Sequence, residues 1–206
     1  MTDSQIYFGT RIHRTLVKGK GAALLRADLA TACRSIAHED KAGRSWSKAH
    51  GYAGYTSYAS LNDLSWRIPA FEDLGRILDR EARGFARALD LELAGRPLVL
   101  DSLWINVLDR GGVHSGHIHP NCVISGTYYV EAPDGAGAIR FEDPRLPLMM
   151  AAPQRKARAR PDNRSFVEIA PRPGMLLMWE SWLRHEVLPN RASDSRISVS
   201  FNYRWG

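Results

Sequence analysis

Three histidines and one arginine are the residues of this chain whose types and spacing could do chemistry. His117 and His119 are separated by one residue, so in an extended strand both side chains point to one face and offer two metal ligands. His185 comes much later, and a sheet can hold both ends of so long a loop at modest entropic cost. Arg196 follows, with a planar guanidinium that can grip a carboxylate through two hydrogen bonds. The spacing therefore predicts a metal beside a site for a small acid.

The types of the ligands leave the identity of the metal open, because imidazole suits iron, zinc, copper and nickel. His114 also lies close by, but it is out of strand register with His117. We expect it in a loop or behind the ligands. Cys122 follows the histidines, and strand parity places it on the opposite face, which predicts a buried structural thiol.

The second half of the chain supplies the elements that must position these residues. From Leu98 onward, short apolar runs are broken by Gly, Pro, Asn and Asp, a pattern typical of antiparallel sheets. The predicted strands are 98–108, 122–131, 137–142, 165–170, 174–179, 183–188 and 195–204. In the last strand polar and apolar residues alternate, and the short hydroxyl side chains between its arginines favour a polar face that lines a cavity, with the apolar face packed on helices.

The first half reads as helical. Apolar residues recur at three- and four-residue spacing in two stretches: Leu25, Leu29, Cys33 and Ile36, and then Phe71, Leu74, Ile77, Leu78, Phe85 and Leu89. Between them, residues 43–62 are rich in Gly, Ser and Tyr and are predicted to be irregular. We expect their tyrosines in the core or at the surface, and the alternative is that they line a pocket. These patterns predict a sandwich or barrel over 98–206 that is supported by a mainly helical segment over 1–97.

Bulk properties are those of an ordinary globular protein. A length of 206 residues fits a single domain, and the net charge is +6. The start shows no signal-peptide pattern, and the run Met175–Trp179 is too short to span a bilayer. Two cysteines are too few for a disulfide framework, so we expect a cytoplasmic protein.

A basic segment, 154–164, carries five lysines and arginines but no aromatic residues that could stack on bases. We therefore expect a solvated loop, not a nucleic-acid site. A second interpretation is that it lies at the rim of the active site and steers an anionic substrate.

Ordered sequence blocks from Trp104 to Trp205 resemble the catalytic jelly roll of the 2-oxoglutarate- and iron(II)-dependent dioxygenases, and within them a little-characterised bacterial and phage branch. The matching blocks are Trp104-Ile105-Asn106-Val107, Gly111-Gly112, His117-Ile118-His119-Pro120, Ser125-Gly126-Thr127-Tyr128-Tyr129-Val130, Phe141-Glu142-Asp143-Pro144-Arg145, Pro173-Gly174, Ser181-Trp182-Leu183-Arg184-His185 and Arg196-Ile197-Ser198-Val199-Ser200-Phe201-Asn202. The resemblance implies a mainly β (α+β) double-stranded β-helix, a cupin-like jelly roll, buttressed by the N-terminal helices.

The same resemblance assigns roles to individual residues. His117 and His185 would bind Fe(II), with His119 at the third protein position. Arg196 would hold the distal carboxylate of 2-oxoglutarate with Ser198 beside it, and Asn106 would be a further contact. The implied reaction uses O2 and couples decarboxylation of 2-oxoglutarate to hydroxylation of an unidentified substrate, with no catalytic residue beyond these ligands.

One position departs from the wider superfamily, whose members mostly place a carboxylate where this chain has His119. The nearby carboxylates Glu142, Asp143, Glu180 and Glu186 could restore the usual set, although Glu186 should face away from His185. We expect three histidine ligands. Two alternatives stay open: a cupin-like three-histidine metalloenzyme that does not use 2-oxoglutarate, and a non-enzymatic module that binds a metal or an acid. The oligomeric state is open as well.

Overall fold

A computed structural model describes residues 4–206 of the chain. Within these residues the elements follow in the order β1 (Ile12–Leu16), α1 (Ala22–Glu39), α2 (Lys41–Ala49), β2 (Gly54–Thr56), α3 (Pro69–Ala88), β3 (Leu98–Leu108), β4 (His114–His117), β5 (Ile124–Glu131), β6 (Ile139–Glu142), β7 (Phe166–Ile169), β8 (Met175–Glu180), β9 (His185–Val187) and β10 (Arg196–Trp205). Short 3-10 turns lie at Leu64–Trp66, Leu146–Leu148 and Pro161–Asn163.

The strands form two antiparallel sheets. The larger sheet has six strands in the order β1-β8-β5-β10-β3-β2, and the smaller has four in the order β4-β9-β6-β7. The crossovers between the sheets give the double-stranded β-helix expected for this chain, with two facing sheets and no closed barrel. The mainly β prediction is confirmed.

Two apolar cores lie on either side of the larger sheet. The first joins α1 and α3 to the sheet, and β10 contributes Ile197, Val199, Phe201 and Tyr203 to it. The second lies between the sheets and includes Tyr129, Phe141, Leu177, Trp179 and Leu183. The apolar face of β10 therefore packs on helices, as predicted, and its polar face is left for a cavity.

All seven predicted strands are found, with ends displaced by at most two residues. The prediction of an irregular segment over 43–62 is wrong in part, because α2 occupies Lys41–Ala49 and β2 occupies Gly54–Thr56. Helix α2 begins at a cap in which the Gly43 N–H donates to the Asp40 carboxylate over 3.0 Å. Its buried face consists of Gly43 and Ser47, so an apolar periodicity does not reveal it.

Among residues 4–206, no helix combines the length and the apolar character that crossing a bilayer would need.

Candidate active site

Strands β4 and β9 bring two of the three histidines face to face. His117 and His185 are partners in the β4–β9 register, and their ring centres lie 4.4 Å apart. The strand prediction for His119 needs a correction, because β4 ends at His117 and His119 lies two residues beyond it. The His119 N–H donates to the Ser181 carbonyl over 3.0 Å, which keeps its ring beside the other two. Each of the three histidines offers a nitrogen within 4.8 Å of the others.

Backbone carbonyls orient two of these rings. Nδ1 of His117 lies 2.7 Å from the Ser115 carbonyl oxygen, and Nδ1 of His185 lies 2.9 Å from that of Leu183. Since a carbonyl can only accept, each Nδ1 carries the proton and each Nε2 is left with a lone pair for a metal.

The protonation state of the cluster also suits a metal. Burial lowers the pKa of His185 to about 3 and that of His119 to about 4. Both rings are therefore neutral at pH 7, which is the form that binds metal ions.

The four nearby carboxylates stand outside this cluster. Glu142 pairs with Arg184 at 3.2 Å, and Asp143 and Glu186 pair with Arg145 and Arg140 respectively. Within the described part of the chain, the metal-ligand cluster of this region consists of histidines only.

A deeper cavity lies beside the histidines, on the inner faces of β3, β5 and β10. Arg196 is 2% exposed, and its guanidinium donates to the Ser198 hydroxyl over 3.3 Å. The guanidinium carbon lies 4.8 Å from the ring centre of Tyr129. Burial raises the pKa of the Tyr129 phenol, so its hydroxyl remains a donor at neutral pH.

Several buried polar atoms in this region have no partner. Over residues 4–206, the buried side-chain atoms without a hydrogen bond are Arg196 Nε, Tyr129 Oη, Thr127 Oγ1 and Trp179 Nε1. Each costs about 1–3 kcal/mol if nothing satisfies it. All four belong to residues of β5, β8 and β10, and three of those residues line this one cavity together with His185. Such a concentration indicates a polar ligand, and a guanidinium among hydroxyls fits a carboxylate.

Asn106 is held in one orientation at the edge of the same cavity. Its Oδ1 accepts hydrogen bonds from the Thr56 hydroxyl at 2.9 Å and from the Tyr52 hydroxyl at 3.3 Å. Its Nδ2 donates to the Ser200 hydroxyl over 3.0 Å. One amide hydrogen of Asn106 remains for a ligand.

The predictions for two neighbours of the histidines have different outcomes. His114 is the first residue of β4 and not a loop residue, but its ring lies 5.9 Å from that of His117, which agrees with the other expectation, a position behind the ligands. Cys122 is half-buried and lines an outer cavity with His119, so the prediction of a buried thiol on the opposite face is wrong. The chain leaves its strand before Pro120, and Asn121 takes a left-handed φ of 65°, which reverses the expected parity.

The basic loop is exposed, as predicted. Among the described residues, none of its five lysines and arginines lines the histidine cavity or the outer cavity. Arg164 lies instead against the segment that contains Tyr7 and Phe8. The idea that this loop steers a substrate has no support from its position.

Residues 102–202 match a protein family described as "Putative 2OG-Fe(II) oxygenase". The chain belongs to the 2-oxoglutarate- and iron(II)-dependent oxygenases. The matched region, about half of the chain, holds the histidine cluster and Arg196. Among curated proteins, none matches this oxygenase in sequence.

Solved structures share its fold at low sequence identity. A prolyl-4-hydroxylase from Pseudomonas putida is 18% identical, with a TM-score of 0.63 over 95% of this chain and 93% of that one. The alpha-ketoglutarate-dependent epimerase SnoN of nogalamycin biosynthesis is 17% identical, with a TM-score of 0.66 over 95% and 76%. AviO1 from Streptomyces viridochromogenes is 14% identical, with a TM-score of 0.60 over 95% and 90%. These likenesses show the fold.

The residues present fit the iron and 2-oxoglutarate that the oxygenase family uses. Three converging imidazoles are suitable iron ligands, and the buried guanidinium with a free Nε suits a carboxylate. Sequence reasoning missed Thr127 and Tyr129 as possible contacts. Their signal is the alternation along β5, which points both toward the face where Ser198 and Arg196 lie.

Proposed function

We propose that His117, His119 and His185 hold the iron of this oxygenase and that Arg196 binds the distal carboxylate of 2-oxoglutarate. Ser198, Asn106 and Thr127, which line the same cavity, and Tyr129, whose ring lies against the Arg196 guanidinium, would supply hydrogen bonds. The protein would then hydroxylate a C–H bond of a substrate that is not yet identified. One observation carries the proposal: a buried arginine whose Nε has no partner lines the same cavity as three converging histidines.

When bound, the iron and 2-oxoglutarate would supply the oxidising chemistry, in which O2 is consumed, CO2 is lost and succinate is formed. The chain's own residues would bind and orient the iron and the cosubstrate and would exclude water from the cavity. The nitrogens of the three histidines provide ligands without charge, so the site keeps one more positive charge than a site with two histidines and a carboxylate. That charge and the guanidinium of Arg196 both attract a dianion. Trp179 packs against His185, with ring centres 4.6 Å apart, and both residues are buried.

The test is an anaerobic titration of the metal-free protein with Fe(II) and then with 2-oxoglutarate, followed by visible absorption. We expect a charge-transfer band that requires both additions. Arg196→Ala should abolish the band while the iron content stays nearly unchanged, and Arg158→Ala, on the exposed loop, should leave it intact.

Two results would contradict the assignment. Unchanged affinity for 2-oxoglutarate in Arg196→Ala would remove Arg196 from the cosubstrate site. Bound iron without any band in the unmodified protein would favour the cupin-like metalloenzyme or the binding module.

We also propose a single cytoplasmic domain. The free thiols Cys33 and Cys122 support a reducing compartment. One core contains residues of both the helical segment 1–97 and the jelly roll 98–206, which supports one folding unit. The cosubstrate and the unidentified substrate are the proposed partners.

A further inference from the structure

An outer cavity opens in front of the histidine cluster. Its volume is about 510 Å³, within the range of cavities that bind small ligands or single side chains. Its lining includes His117 and His119 together with residues of helix α2 and of the segment that follows it. The inference below rests on the proposed function, since it concerns the substrate that would reach the iron through this space.

Aromatic rings make up much of the wall. Trp46 and His50 of α2 stack with ring centres 4.1 Å apart, and Tyr58 meets Trp104 edge-on at 5.1 Å. Tyr58 is 51% exposed although it belongs to this wall, so packing alone does not account for its place. The faces of Trp and Tyr rings carry negative charge density and attract cations.

The charge of the cavity is unusual for so basic a chain. Of the residues that the structure describes, no lysine or arginine lines the outer cavity, although the sequence has 28 of them. Its carboxylate is Asp101. The guanidinium of Arg196 belongs to the inner cavity, so the anionic cosubstrate and the substrate would meet different electrostatic surroundings.

An irregularity in the sheet places Asp101 in this wall. The β3–β10 register shifts so that Asn202 pairs with Ser102 while Tyr203 pairs with Leu100, which leaves Asp101 as the extra residue. Successive residues of a regular strand point to opposite faces, yet Asp101 and Ser102 both line the cavity. Strand bulges commonly re-aim side chains in this way beside active sites.

Asp101 has one partner outside the wall. Arg204 Nε lies 3.2 Å from Asp101 Oδ1, in a pair whose two side chains are both more than a third exposed. Exposed pairs of this kind contribute little and exchange readily, and the second carboxylate oxygen stays available.

We propose that the outer cavity binds an ammonium or guanidinium group of the substrate, with the rings of Trp46, Tyr58 and Trp104 against the cation and Asp101 as its counter-charge. The carbon chain attached to that group would extend toward His117 and His119. The cavity would reject phosphorylated and carboxylate-rich substrates.

The direct test uses tetramethylammonium as a probe and neopentyl alcohol as a neutral, water-soluble analogue of similar shape, titrated into metal-free protein and followed by NMR. We expect the cation to bind and the alcohol to bind at least about threefold more weakly. Trp46→Ala and Asp101→Asn should each weaken cation binding by about threefold or more. Trp66→Ala, at a tryptophan that is 90% exposed elsewhere, and Asp28→Asn, on α1, are the matched controls and should change nothing.

Equal binding of the cation and the alcohol, or cation binding that survives both Trp46→Ala and Asp101→Asn, would overturn the proposal. Because these measurements need neither iron nor 2-oxoglutarate, they stand apart from the proposed function. Cation binding without a charge-transfer band would contradict only the proposed function. A charge-transfer band without cation binding would contradict only the proposed substrate class.

A second arm locates the source of the cation. Succinate release by the holoenzyme is compared with free L-lysine or L-arginine and with Gly-Lys-Gly or Gly-Arg-Gly. Stimulation by the amino acids alone assigns a small-molecule substrate, and stimulation by the peptides alone assigns a protein side chain. Stimulation by succinylated lysine, which is anionic, in preference to lysine would contradict the proposal.

Discussion

Position 119 is where this chain departs from the carboxylate that most relatives are expected to carry. The His119 ring stacks on that of His185 with centres 5.2 Å apart, and both rings are neutral near pH 7. The charge of the iron would therefore be less neutralised by its ligands than in a site with a carboxylate. We therefore expect a higher affinity for an anionic cosubstrate.

His119→Asp tests this reasoning. The variant should keep Fe(II), because two histidines and a carboxylate form a complete iron site, but its affinity for 2-oxoglutarate should fall by about tenfold, or about 1.4 kcal/mol. His119→Ala should weaken iron binding itself by about tenfold or more. Iron content after dialysis and the anaerobic 2-oxoglutarate titration measure the two effects. Tighter 2-oxoglutarate binding in His119→Asp would refute the charge argument.

Helix α2 depends on a capping network as well as on packing. Burial works against ionisation of Asp40, but hydrogen bonds from Ser60, Gly43 N–H and Tyr55 outweigh it and hold the pKa of the carboxyl below its usual value. A lowered pKa in the folded state means that the ionised carboxylate stabilises the fold above the usual pKa, near 4. That contribution is lost as the pH falls through the folded-state pKa.

Asp40→Asn should therefore lower the free energy of unfolding by about 1 kcal/mol at pH 7 and by much less at pH 3. Urea denaturation at the two pH values measures the difference, with Asp28→Asn as the exposed control. An equal loss at both pH values would mean that the charge of Asp40 plays no part.

The helices and strands also show which parts of the fold can be predicted from the sequence. Strands are predictable here because their apolar runs are bounded by turn residues, and the alternation in β10 correctly assigns its two faces. Helix α2 is not predictable from apolar spacing, because its buried positions are Gly43 and Ser47, and a Cβ at Gly43 would clash with the Asp40 carboxylate. Of the candidate site, the sequence predicts the three histidines and Arg196. Tyr129 could not be predicted as part of it, because only the three-dimensional register reveals that its buried hydroxyl has no hydrogen-bond partner.

On the scale of the whole molecule, charge and active site are separate. The basic loop 154–164 supplies five positive charges of a protein whose net charge is +6, yet it lies away from both cavities. Replacement of all five residues with serine should leave 2-oxoglutarate turnover in the absence of substrate within about twofold of the unmodified protein. Succinate formation at low and high ionic strength is the measurement. A loss of turnover with retained folding would show that the loop reaches the site after all.

One face of strand β10 packs in the helical core, and the other lines the cavity proposed to bind the cosubstrate. Side chains repeat every two residues along a strand, so loss or gain of a single residue within 196–203 that no bulge absorbs would exchange the faces and drive Arg196 against α1 and α3. Substitutions therefore preserve the two faces of this strand, whereas a single-residue insertion preserves them only where a bulge takes up the extra residue, as β3 does at Asp101. Among distant homologues, length variation should accumulate in connections such as 143–165, and the spacing from His185 to Arg196 can change only in the turn that precedes β10.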